Sequence, residues 1–444
     1  MPVDCLNLMH TAFSSPWVPT VTILLLACGA RLFSQSWLAP SSFIGLAWSV
    51  YTLVPLIVAA EFPTPSLGVW VIFSLIVSVQ VGAWLTERGP QRNRGVNVVA
   101  ILNSGVLRKM EKVILVSAAA ATAGAVYLGW RTVLENDLSL SSAGLLAIGS
   151  LLSVARYSGQ NEPFIFRVLY MWVYPAALLG GIAFGFAGSR KSKLICFAAA
   201  IPALVYVFVE TAKAGLLFVM CCWFAGYMAM KVVTGHERFR LLNRKILIVA
   251  AMCVIAGIAL FVVTDSIRGR SEDQGVVLAV DTIRMKAAAF GYLSAFSQWM
   301  NGSRPEGLGF GAYTIGGLFD LAGVHPRAMG VYTSSVTLPG LEDNNVYTAF
   351  RGLIEDFSFP VALAICAVLG ALCGYGYEQL RRGRLRWVLG VSAFYAFVAW
   401  SPLGSLFVYN GPILAWCIAA LLLTVGTSPV VKRKTTPSTI VQEV

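Results

Sequence analysis

The stretch Asn345 to Phe357 sets Arg351, Glu355 and Asp356 into a run that is otherwise largely apolar. At helical spacing Tyr347, Arg351 and Glu355 fall on one stripe, and Asn345, Gly352 and Asp356 on the stripe beside it. A salt bridge between Arg351 and Glu355 accounts for two of the charges and leaves Asp356 over. A carboxylate beside a low-dielectric, cation-lined site is what a general base needs in order to take a proton from a hydroxyl. Asp356 is the first candidate for that base. Glu355, and His325 in Gly323-Val324-His325-Pro326-Arg327, are the alternatives.

The other residues able to do chemistry are cations scattered in or between apolar runs: Arg131, Arg156, Arg167, Lys213, Arg268, Arg270, Arg284, Lys286, Arg304 and Arg327. A charge held inside a membrane span costs roughly 2.5 to 3.5 kcal/mol on insertion scales, so something must compensate for it. Arg167 and Lys213 can snorkel or pair with Glu162 or Glu210. Alternatively, Arg156, Arg167, Lys213, Arg284, Arg304 and Arg351 converge on an anionic ligand, since a guanidinium can grip phosphate oxygens through two donors at once. Asn345 and Tyr347 would then lie beside the same ligand.

The elements that must position these residues follow from composition. Of 444 residues 57% are hydrophobic and 12% charged, and the mean hydropathy is +0.73. Such a chain has the bilayer as its main solvent. A span takes about 20 apolar residues and must close its backbone hydrogen bonds internally, so the spans are expected to be helices. Apolar runs occur at 17–35, 41–60, 66–85, 113–130, 163–187, 194–210, 213–230, 246–264, 350–376, 387–405 and 410–427. The expectation is an all-α polytopic membrane protein of about eleven transmembrane helices. The first run lacks a basic stretch before it and a small-residue cleavage site after it, so it reads as a span rather than a cleaved signal.

Every second connection is basic. Arg31 lies in the first of them, Arg88, Arg92, Arg94, Arg108, Lys109 and Lys112 in the next, then Arg190, Lys191 and Lys193. Lys231, Arg238, Arg240, Arg244 and Lys245 follow, then Arg381, Arg382, Arg384 and Arg386, and finally Lys432, Arg433 and Lys434. Cytoplasmic loops retain such an excess, which predicts an external N-terminus and a cytoplasmic tail over 428–444. The net charge of +12 is thus a topology signal and implies no nucleic-acid partner. The nine cysteines form neither a disulfide framework nor a zinc pattern, and no phosphate-binding glycine loop or H-E-x-x-H helix is present. Neither a metal nor a cofactor is expected.

Two external segments exceed ordinary connection lengths, Arg131 to Glu162 and Asp265 to Thr348. The chain therefore divides into helices over 1–264, a large external loop over 265–348, and further helices over 349–427. Within the loop Ile283, Phe290, Leu293, Phe296 and Met300 make the stripe of an amphipathic helix that Asn301-Gly302-Ser303 ends. That helix can lie on the membrane interface, as a structural lid or one that grips substrate. The glycine-rich stretch from Gly307 to Gly317 reads as irregular chain.

The run Tyr347-Thr348-x-x-Arg351-x-x-x-x-Asp356-Phe357, opening a late span after a long external loop, resembles bacterial O-antigen polymerases of the Wzy-type repeat-unit polymerase family. Gly291-Tyr292-Leu293-Ser294, Phe296-Ser297, Trp299 and Gly311-x-Tyr313-Thr314 look like the external loop of such proteins. Ser358 stands where a glycine commonly follows the Asp-Phe pair. The resemblance implies a large, partly helical periplasmic loop on a GT-C-like fold in the bacterial inner membrane. It also implies a metal-independent, inverting glycosyltransferase acting on undecaprenyl-pyrophosphate-linked oligosaccharides, as donor and acceptor, at the periplasmic face. Membrane lipid, a chain-length regulator and a flippase are the further partners it suggests. The competing classes are a ligase that transfers finished glycan and a flippase or secondary transporter. His325 lacks the H-[ST]-x-G-x-x-G surroundings expected of ligases, and no inverted repeat of the transporter kind is visible.

Overall fold

A computed structural model describes residues 14–87, 104–138, 147–152, 162–210, 213–235, 277–302, 308–324, 332, 334–339 and 341–426. The chain is a multi-pass membrane protein: among the described residues eight helical segments are long and apolar enough to cross a bilayer. The first four are α1 (Trp17–Ser34), α2 (Pro40–Val58), α3 (Ser66–Thr86) and α4 (Ser104–Glu135). The fifth apolar run forms α5 (Phe164–Tyr170) and α6 (Val173–Phe184), and the sixth forms α7 (Arg190–Ile195) and α8 (Ala200–Glu210). α9 (Lys213–Val233) follows. The run at 246–264 lies outside the described residues.

The long stretch between the two sets of spans contributes α10 (Val277–Asn301), the short α11 (Gly316–Leu321) and an antiparallel hairpin of β1 (Val336–Leu338) and β2 (Leu341–Asn344). The chain then forms α12 (Ala349–Phe357), α13 (Phe359–Arg381), α14 (Val388–Trp400) and α15 (Asn410–Gly426). The last two are apolar but shorter than the eight helical segments above.

The apolar run at 350–376 was expected to be one span, and it is two helices. Ser358 has φ +67°, outside the right-handed helical region, and the chain restarts as α13 with Pro360 in its first turn. Proline has no N–H, so a continuous helix would leave the Asp356 carbonyl without its partner from residue 360. That carbonyl instead accepts from Phe310 N at 3.2 Å, and the Glu355 carbonyl from Gly309 N at 3.0 Å. The loop thus caps α12 from outside the helix.

α3 and α13 run parallel in close contact: Gly82, Gly370 and Gly374 each face backbone of the other helix, leaving no room for a Cβ. In a bilayer, where lipid is as apolar as leucine, such small residues let backbones approach and pack. α9 lies along α6 in the same manner through Gly181 and Gly226. The parallel pairing of α3 with α13 puts Arg381, Arg382, Arg384 and Arg386 at the end of the bundle opposite α12.

α10 packs on α2, α3 and the hairpin rather than standing free. Its Tyr292 hydroxyl donates to the Tyr51 carbonyl at 2.6 Å, its Ser294 hydroxyl to the Pro63 carbonyl, and its Lys286 Nζ bonds Glu61 Oε1 at 2.8 Å. Leu338 of β1 and Ala287 of α10 bury against Ala59 and Phe62. The loop is therefore a docked layer on one end of the bundle, and it holds its long helix still against the site.

Candidate functional site

Three stretches distant in sequence meet at α12. Phe350 packs on Trp48 with ring centroids 4.8 Å apart, and Ala349 N donates to the Ser401 carbonyl at 2.8 Å, which fixes this helix against α2 and the end of α14. Arg351 is 4% exposed. Its Nε and Nη2 each lie 2.9 Å from Glu355 Oε1, one helical turn on, and Nη2 also reaches Ser334 Oγ at 2.5 Å. Around the guanidinium stand Tyr347 at 4.0 Å, Tyr332 at 4.1 Å and Trp299 at 4.9 Å from the ring centroids. An aromatic face attracts a cation and costs little to desolvate, so three rings stabilise the buried charge without neutralising it. Nη1 is buried and has no hydrogen-bond partner among the described residues. The salt bridge expected at this spacing is present, but it consumes only one edge of the guanidinium.

Asp356 points elsewhere. Its carboxylate accepts from Thr314 Oγ1 at 2.7 Å and from Tyr313 N at 3.1 and 3.2 Å, and Gly309 passes so close that a Cβ there would strike Oδ1. The residue is wholly buried. Ser405 Oγ donates to the Thr314 carbonyl at 2.6 Å and Tyr313 stacks on Tyr332, so the Asp356 anchor also positions the aromatic cage. Glu355 keeps slightly more access, its side chain 7% exposed.

Both carboxyls lie outside α13, the membrane-spanning helix, and burial pushes both above their ordinary range. Arg351 opposes that rise at Glu355. At Asp356 the Thr314 hydroxyl and the backbone N–H groups of the loop oppose it. A carboxyl raised by burial is the better proton acceptor, and one already holding several donors is the poorer. Asp356 is held by the hydroxyl and backbone donors of the loop, and Glu355 by the Arg351 guanidinium alone.

Of the residues singled out from sequence, Tyr347, Arg351, Glu355 and Asp356 come together. Asn345 is exposed at the exit of β2. Arg167 is exposed on α5, and Lys213 opens α9. Arg284 is exposed on α10, four turns from Trp299, or roughly 22 Å along that helix. Arg156, Arg304 and His325 lie outside the described residues. Two other retained cations have local partners: Lys286 pairs with Glu61, and Arg131 with Glu135. Reasoning from sequence assigned no role to Trp299, Tyr313, Thr314, Tyr332 or Ser334. The density of Tyr and Trp in a glycine-rich loop was the available signal, but their convergence on one arginine is a property of the fold.

Among the described residues no group of His, Cys, Asp and Glu is arranged to hold a metal ion. Comparison with protein-family models, with curated proteins and with solved structures gave no match.

Proposed function

We propose that this protein polymerises undecaprenyl-pyrophosphate-linked oligosaccharide repeat units into O-antigen or a related surface polysaccharide, by inverting, metal-independent glycosyl transfer at the periplasmic face of the bacterial inner membrane. One observation carries the reading. The three stretches on which the family resemblance rests, around Trp299, Tyr313-Thr314 and Tyr347 to Phe357, form a single buried site with an arginine whose Nη1 has no hydrogen-bond partner among the described residues.

In the proposed reaction an acceptor sugar hydroxyl attacks the anomeric carbon of the donor glycan. The new C–O bond forms as the bond to the pyrophosphate oxygen breaks, and the electron pair leaves with undecaprenyl pyrophosphate. Glu355 takes the hydroxyl proton. Arg351 donates from Nη1 to the leaving oxygens, whose charge grows toward the transition state, so the interaction strengthens where it lowers the barrier. Asp356 holds Tyr313 and Thr314 in place and is the reserve candidate for the base, with His325 behind it. Tyr347 and Asn345 line the approach, and Arg156, Arg167, Lys213, Arg284 and Arg304 are further cations for the two lipid pyrophosphates. The periplasmic orientation is supported by the arginines gathered beyond α13, at the end remote from the site.

The test is the surface-polysaccharide ladder of a strain lacking the gene. A polymerase leaves glycan of one repeat, restored to a ladder by the wild-type chain. Polymer accumulating on the lipid carrier would instead indicate a ligase, and loss of all external glycan a flippase.

A further inference from the structure

The segment 308–324, which runs over the site between α12 and α15, carries a surface unlike the other described parts of the loop. Leu308, Phe310, Ile315, Leu318, Leu321 and Val324 are all exposed, Phe310 to 72% and Val324 to 75%. The one charged residue among them, Asp320, is tied by Asn410 Nδ2 to Oδ2 at 2.6 Å. Phe310 has φ +48°, a conformation non-glycine residues seldom adopt and one that costs of order 1 kcal/mol or more. Its N–H bond to the Asp356 carbonyl holds that strained backbone while the ring faces outward.

Leaving such side chains in water forfeits about 25 cal/mol for each Å² of apolar area that could be covered. Isolated exposed apolar residues are ordinary, whereas a contiguous set marks a contact surface. Position identifies the contact. Phe310 is bonded to Asp356, three residues before the start of α13, whose lipid-facing strip begins at Val361 and continues through Val368 and Leu372, all exposed. α11 is seated on the first turn of α15, with Gly317 against Tyr409 and Ile413. The segment is therefore pinned at both sides at the level where two membrane helices begin, and its apolar face prolongs the lipid-facing surface of the bundle. Aromatic and aliphatic side chains settle at that depth, where headgroups give way to acyl chains.

We infer that the 308–324 segment is a membrane-inserted wedge: Phe310, Leu318 and their neighbours enter the acyl-chain region of the leaflet on this side and hold the capping strand Gly309 to Thr314 at a fixed depth. The occupant is ordinary phospholipid rather than another chain or a polyprenyl tail. The inference does not depend on the reaction proposed above.

The experiment places a benzophenone amino acid at Phe310, Leu318 or Val324 of the full chain, with Asn345, exposed but polar, as the control position. Each variant is irradiated in nanodiscs of phosphatidylethanolamine and phosphatidylglycerol, and intact mass is measured. Only protein that elutes as a single symmetrical species is scored, and three positions guard against one failing to fold. Phospholipid adducts should form at the three wedge positions several-fold more than at Asn345. Equal yields at all four, covalent dimers in place of lipid adducts, or adducts appearing only after undecaprenyl phosphate is added would each overturn the wedge.

Discussion

Buried charge occurs at both ends of the parallel pair α3 and α13, and the two ends handle it differently. At the basic end Glu378 pairs with Arg381 at 2.9 Å, and Glu87, just past α3, accepts Ser41 N at 2.9 Å and Ser41 Oγ at 2.5 Å. Gln80 donates to the Ser41 carbonyl and Thr86 to that of Ala371, so three helices are latched together. At the other end Arg351 is embedded in three aromatic rings with one nitrogen unpartnered among the described residues. At the basic end the buried carboxyls join helices to one another through hydrogen bonds and an ion pair, whereas at the other end aromatic faces hold a cation without taking up all its donors. Buried pairs are weak contributors to net stability but expensive to break from one side only, so the two clusters should fail differently when cut.

The largest contrast is expected from Arg351. Arg351→Ala should lower polymer formation by roughly 100-fold or more, and Arg351→Lys nearly as much, because lysine keeps the charge without the planar second edge. Both variants are compared at matched protein level by the glycan ladder. Polymer at the wild-type amount in Arg351→Ala would make the cage a second latch.

Next in size is the division of labour between adjacent carboxyls. Glu355→Gln should retain lipid-linked glycan yet join it on the order of 100-fold more slowly. Asp356→Asn keeps one acceptor for the loop and should chiefly lower thermal stability, by about 1 to 3 kcal/mol. Turnover lost with binding kept in Asp356→Asn, and not in Glu355→Gln, would reverse the assignment. Because burial raises the Glu355 carboxyl, the rate should climb with pH through a midpoint above the ordinary carboxylate value and then level off.

Along the α3–α13 contact and at its basic end the effects should fall on folding alone. Gly370→Leu forces side-chain atoms against the α3 backbone and should cost about 1 to 3 kcal/mol in thermal denaturation, with activity per folded molecule unchanged. Burial raises the Glu87 carboxyl to about 6. A carboxyl raised on folding binds its proton more tightly in the folded state, so stability is greatest below the unfolded value near 4.5 and declines as pH climbs through 6. The decline amounts to about 2 kcal/mol. Glu87→Gln should flatten that part of the pH–stability curve, the smallest effect of the series, and an unchanged slope would remove Glu87 from the latch.

The sequence was informative where physics is local. Hydropathy marked most of the described spans to within a few residues, because each must present apolar side chains along its length, but α4 starts nine residues before the apolar run at 113–130 and α13 starts nine residues into the run at 350–376. The division at Ser358 was missed since the apolar run continues across it, although Pro360 was visible and argues against an unbroken helix. The hairpin was missed despite Pro339-Gly340, a turn dipeptide between β1 and β2. Arg351 and Glu355 were legible as a pair because their spacing is a property of one helix. The cage was not: Trp299, Tyr332 and Tyr347 come from separate segments, and Trp299 joins the two tyrosines through the docking of α10 on α2 and α3. Lys286 was counted among the unexplained cations until Glu61, far away in sequence, accounted for it.

On the proposed reaction, the caged arginine acts on the pyrophosphate of a lipid-linked glycan. This is tested most directly with the purified full chain in nanodiscs supplied with undecaprenyl-pyrophosphate-linked repeat units, following glycan length and released undecaprenyl pyrophosphate together. The expected result is a lengthening ladder with one carrier released for each repeat joined, abolished by Arg351→Ala in protein that remains folded. Folded wild-type protein that joins nothing, or a ladder undiminished by Arg351→Ala, would contradict it.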